Sequence, residues 1–134
     1  MISIYNLIKK EKIKTINNLK LYISELCRII KINENEVVVA GNKKVYLIDI
    51  NNYLILNEID TEYVNHCILK LSNNLFLIGD HNGIITQYKI ANKKLIKESF
   101  KNNSHKNSIY SMTILDDMII SGGYDSNEIK IWKN

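Results

Sequence analysis

The apolar residues of this chain come in short runs separated by polar pairs, and the runs recur at a fixed interval. Residues 2–7, 45–50, 85–90 and 129–134 superimpose, with Tyr5, Ile48, Tyr88 and Trp132 at one position and steps of 43, 40 and 44 residues between them. A second run, 36–41, 74–79 and 117–122, precedes three of these and ends each time in glycine. All five glycines fall at or just after that junction, where a tight strand-to-strand turn with positive φ favours them. A third run, 26–32, 67–71 and 109–114, stands before the second and closes on Asn, Asp or Ser turns. A fourth, 11–16, 54–59 and 94–100, is less apolar and flanked by lysine, as an outer edge strand should be. Each unit therefore reads as four short antiparallel strands, A to D. One competing pattern exists: Ile16, Leu19, Ile23, Leu26 and Ile30 are spaced like a helix face. The equivalent stretches 59–71 and 100–114 lack that spacing, so strand is the expectation there too.

Length and composition narrow the class. At 134 residues, with 46% hydrophobic and 24% charged residues, the chain suits one folded unit. The apolar runs are far short of the roughly 18 residues that span a bilayer, and the start lacks the order of a secretory signal. The expectation is an intracellular, cytoplasmic protein with no membrane contact. Cys27 and Cys67 lie outside any metal-ligand spacing and read as reduced, buried thiols. The net charge of +4 rests on 17 lysines and one arginine, beside 25 isoleucines and 19 asparagines, a bias that suggests AT-rich codons. Lys9, Lys10, Lys12, Lys14, Lys93, Lys94 and Lys97 gather in C-to-D turns, on the end that also carries Glu34, Glu36, Asp116 and Asp117. A face of mixed sign without interleaved aromatics is not a nucleic-acid surface.

Four-stranded units at this period resemble the WD-repeat β-propellers. The last unit resembles that family most: His105 stands four residues before Ile109, and Ser121-Gly122, Asp125 and the strand ending at Trp132 follow in order. The resemblance implies a hydrogen-bonded network of His105, Ser121, Asp125 and Trp132 that ties the inner and outer strands of one blade. Elsewhere Tyr5, Ile48 and Tyr88 stand where the family has Trp, and only Asp49 keeps the Asp that follows.

The expected fold is all-β, a partial, open propeller of WD-like blades. It is one segment: strands C and D of a partial blade in 1–22, full blades in 23–60 and 61–101, and a blade lacking its outer strand in 102–134. Further blades or another chain are expected to complete it. A truncated gene product without independent activity is a third possibility.

Candidate chemistry is sparse. His105, Ser121 and Asp125 could be mistaken for a catalytic triad, but the same spacing predicts a buried structural network without further assumptions. Residues 80–83 and 123–127 resemble cation-binding loops, yet each offers one carboxylate where calcium needs six to eight oxygens. No cofactor, metal or catalytic residue is expected. The loops joining D to A and B to C present Tyr22, Glu62, Tyr63, His81, Asn82, Lys106, Asn107 and Tyr124, several of them residue types that serve interfaces well. The function expected is a non-catalytic protein-interaction scaffold with protein partners. The alternative, an enzymatic propeller of the quinoprotein kind, needs a radial array of cofactor ligands or a Trp/Gly-rich blade motif, and neither is present.

Overall fold

The computed structural model describes residues 2–6, 8–16, 28–101, 104–124 and 128–133. Among these, thirteen strands make four antiparallel meanders. The first sheet pairs β1 (Ile2–Asn6) with β2 (Glu11–Ile16). The second runs β3 (Arg28–Lys31), β4 (Glu36–Gly41), β5 (Lys44–Asp49) and β6 (Leu54–Asp60). The third runs β7 (Asn65–Ser72), β8 (Leu75–Asp80), β9 (Ile85–Ala91) and β10 (Lys94–Lys101). The last holds β11 (Ile109–Leu115), β12 (Met118–Gly123) and β13 (Ile129–Lys133). The leading strands β3, β7 and β11 lie beside one another without forming a common sheet, so the sheets radiate from them like the blades of a propeller. Among the described residues the ring is not closed. The stretch in which helical spacing competes with strand lies mostly outside the described residues, as does Cys27; Ile16 and Ile30, at its two ends, are both in strands.

Alternation along the strands builds the core, because the second and third sheets each have a neighbour on either face. Val38, Ala40, Val45 and Leu47 of the second sheet meet Phe76, Ile78, Tyr88 and Ile90 of the third. The opposite face of the second sheet, Val39, Tyr46 and Ile48, packs against Ile16 of the first. Cys67, Leu77 and Ile85 of the third sheet meet Ile109, Met112, Ile119 and Trp132 of the last. Ile48, Tyr88 and Trp132 each face the preceding sheet, opposite Val37, Phe76 and Ile119 on the neighbouring strand. On the far face of the last sheet the pattern continues into solvent: Ile129 and Ile131 are 75% and 62% exposed, whereas Val45 and Leu47 at the matching places in the second sheet are fully buried.

The glycines behave differently from the sequence expectation. Gly79 and Gly122 pair with the first residue of the next strand, Ile85 and Ile129, but in the second sheet that place opposite Val45 belongs to Ala40. Gly41 sits one residue further on, opposite Lys44 across a two-residue turn. Of the five, Gly83 alone has positive φ, at 77°; Lys43 supplies it in the β4–β5 turn, at 52°. Gly79 is needed for another reason: a Cβ there would stand 2.6 Å from Cys67 Sγ and 2.9 Å from Ile109 Cβ, where two inner strands close on β8. Burial pushes the Cys67 thiol up to about 12, so it remains protonated and unreactive.

Candidate interaction rim

The connections at one end of the sheets are stitched together by backbone hydrogen bonds. His81 N donates to Val64 O (2.9 Å), His105 N to Gly83 O (3.1 Å) and Tyr124 N to Ser108 O (2.8 Å). Residues 61–64, 80–84, 104–108 and 124 thereby form one continuous rim. Of the residues singled out from sequence, Glu62, His81, Asn82, Lys106, Asn107 and Tyr124 are exposed on it and Tyr63 is half-buried. Tyr22 lies outside the described residues. Glu62 accepts a hydrogen bond from the Tyr63 hydroxyl and raises that group's pKa, which keeps the phenol neutral.

The loop after β8 is shaped by its own carboxylate. Asp80 Oδ1 accepts from Asn82 N (2.9 Å) and Ile84 N (3.0 Å), the work of a turn-forming aspartate. Burial raises the Asp80 pKa, and those two donors oppose the shift. Below this loop, between the second and third sheets, lies a cavity of about 430 Å³ lined in part by Glu62, Tyr63, Asn65, Asp80 and Tyr88. Asn65 is almost fully buried and braces the cavity wall, its Nδ2 donating to Gly41 O (2.8 Å) and Thr61 Oγ1 (3.0 Å).

Aromatic rings extend the rim towards the last sheet. His81 and His66 stand with ring centroids 5.4 Å apart, His66 and Tyr110 4.7 Å, and Tyr110 and Tyr124 5.9 Å in an edge-on arrangement. Tyr110 is 41% exposed and Tyr124 60%. Sequence reasoning passed over Tyr110, Ser108 and Asn65. Their strand ends lack the turn signals that marked the others, and only the packing of one sheet on the next brings them to the rim.

Three side chains, from the last sheet and the segment before it, meet at one hydroxyl. Trp132 Nε1 donates to Ser121 Oγ (2.9 Å), and Ser121 Oγ lies 2.8 Å from His105 Nε2, with both His105 and Ser121 buried. The indole can only donate, so Ser121 Oγ accepts from it and shares a second hydrogen bond with His105 Nε2. His105 Nδ1 has no partner among the described residues, and Asp125 lies outside them. Gly123 leaves room for the ring, since a Cβ there would stand 2.7 Å from Nδ1. Burial lowers the His105 pKa. The unfolded chain takes up its proton near the ordinary histidine value of about 6.5, and the folded chain only at lower pH. Stability from this residue is thus complete above that value and is lost as pH falls through the window below it. Fluorescence of the single tryptophan, Trp132, should show an unfolding midpoint that drops as pH falls below about 6.5; His105→Gln should flatten that dependence, and an unchanged slope would contradict the buried neutral ring.

No protein-family model matches the sequence, and no curated protein does either. Solved structures do match. A chain of the mitotic checkpoint complex aligns with a TM-score of 0.68 at 10% identity, over 80% of this chain and 36% of that one. The β-propeller domain of Cps50 (Swd1) from Myceliophteria thermophila aligns at 0.68 and 14% identity, over 81% and 40%. The C-terminal WD40 domain of Sif2 aligns at 0.62 and 9% identity, over 77% and 33%. The chain has the fold of the WD-repeat β-propellers, and spans between 33% and 40% of the length of these three neighbours. No helix among the described residues is long and apolar enough to cross a membrane.

Proposed function

We propose that this chain is a non-catalytic interaction scaffold whose loop rim holds a protein partner. The observation that carries the reading is the continuity of the rim: loops from successive sheets, tied by backbone bonds, present Glu62, Tyr63, His81, Asn82, Lys106, Asn107 and Tyr124 on one surface with Tyr110. Tyrosine suits such a surface because it buries a large area with few rotors and keeps a polar tip. The blades are assigned to 23–60 and 61–101, with partial blades at 1–22 and 102–134, and His105, Ser121, Trp132 and Asp125 are assigned a structural role within the last. The exposed Ile129 and Ile131 extend the pattern of the two buried faces before them, which supports completion by a further blade or another chain.

The test is a charge-reversed rim. The triple variant Tyr63→Asp, Lys106→Glu, Tyr124→Asp should keep the circular dichroism spectrum and melting curve of the parent while losing its partners in a pull-down. Lys31→Glu with Glu34→Lys, an exposed ion pair on the opposite end, should leave them bound. An unaltered partner list in the rim variant removes the rim from consideration.

A further inference from the structure

Three polar atoms from three separate segments converge beside the rim. His66, at the start of β7, places Nε2 3.2 Å from Nδ1 of His81, in the loop after β8. Ser108, just ahead of β11, places Oγ 2.9 Å from that same Nδ1. Ser108 Oγ also lies within reach of His81 O, to which it can donate (3.1 Å). A proton is shared among two imidazole nitrogens and a hydroxyl oxygen, three atoms that can each also offer a lone pair.

We propose that His66, His81 and Ser108 form a binding site for a divalent transition ion of the zinc, nickel and copper class, which takes the place of that proton. The distances fit. Two nitrogens held about 2.05 Å from one ion stand roughly 2.9 Å apart at a right angle and about 3.3 Å apart at the tetrahedral angle, and 3.2 Å lies between the two. Neutral imidazoles suit borderline ions of this kind and not calcium or magnesium, which prefer oxygen. No third His, Cys, Asp or Glu joins them among the described residues, so the serine oxygen and water complete the sphere, and the site is open. His81 is exposed and His66 half-buried, so an ion has a path in. The second shell is partly built: Arg28 Nε donates to His66 O (2.8 Å), and Tyr110 packs its ring on that of His66, which together fix the backbone and the plane of one ligand. The balance is simple, since the ion enters and a proton displaced from a ring nitrogen moves through solvent to the other nitrogen of the same ring, so both ligands remain neutral imidazoles. The ligands come from the third sheet and from the segment leading into the last, so binding also clamps that junction. This inference stands apart from the scaffold reading and does not need it.

The whole chain is titrated with zinc chloride by calorimetry and with copper(II) by electron paramagnetic resonance. One equivalent should bind at pH 7.5, with hyperfine structure from two nitrogens in the copper spectrum. His66→Gln and His81→Gln should each weaken zinc by about tenfold or more and leave one nitrogen, while Ser108→Ala weakens it less and keeps two. His81 is exposed and His66 half-buried, and the apo melting curve of each variant checks folding. Either histidine variant retaining parental affinity, a copper spectrum that keeps both nitrogens in either, or no zinc uptake at millimolar concentration would overturn the site.

Discussion

Phe76→Ala is expected to produce the largest single loss of stability, about 3–5 kcal/mol, the range for removing a buried aromatic ring from a packed core. Phe76 is fully buried at the centre of the contact between the second and third sheets, and its ring stacks on Tyr88 with centroids 5.5 Å apart. Alanine leaves a cavity that the flanking sheets can fill only by closing on each other, and Val38, Leu47 and Ile78 are already buried there. The loss matters beyond one sheet, because each blade relies on its neighbours for burial and stability propagates through such interfaces. Urea titration followed by circular dichroism should show a midpoint lowered in proportion, and Phe76→Leu should recover most of it. If alanine costs under about 1 kcal/mol, this face is not a cooperative part of the core.

The strands were legible in the sequence because a half-buried sheet writes its alternation into the chain and the repeat wrote it several times over. Residues 36–41, 85–90 and 94–100 read as strands on pattern alone, and β4, β9 and β10 cover them. Tyr88 and Trp132 were placed correctly at one repeat position because their neighbours on both sides keep the same spacing. What escaped was turn geometry. Positive φ falls on Lys10, Lys43, Tyr53, Asn92, Lys93 and Asp116, residues that tolerate the conformation without advertising it, while most of the glycines answer to crowding. Turn length then fixed the register of Gly41, one place beyond its apparent equivalent. His105, Ser121 and Trp132 stand at a spacing that resembles a known one, and they meet at Ser121 Oγ, while Asp125 lies outside the described residues. The cluster of His66, His81 and Ser108 was not legible, since His66 and His81 meet across the β7–β8 pair and Ser108, 27 residues from His81, reaches them only where the last sheet packs on the third.

Gly83→Ala is the other change expected to act strongly, and it tests the junction on which both the rim and the cation site depend. Gly83 has φ of 77°, which costs an alanine about 1–2 kcal/mol. A Cβ there would also overlap the carbonyl oxygen of His105 and stand 2.8 Å from Asn107 O, so the backbone of residues 105–107 must retreat. Overpacking of that kind costs about 1–3 kcal/mol more, for a total near 2–5 kcal/mol. The retreat has a visible consequence: His105 N donates to Gly83 O across the junction, so its amide should lose protection in hydrogen exchange, and that of Tyr124, bonded to Ser108 O, should follow. Gly83→Asn separates the two causes. Asparagine accepts positive φ more readily but carries the same Cβ, so it should rescue little if crowding dominates. Full rescue by asparagine would show that conformation alone demands the glycine, and unchanged exchange at His105 in the alanine variant would show that the rim does not pass through this contact.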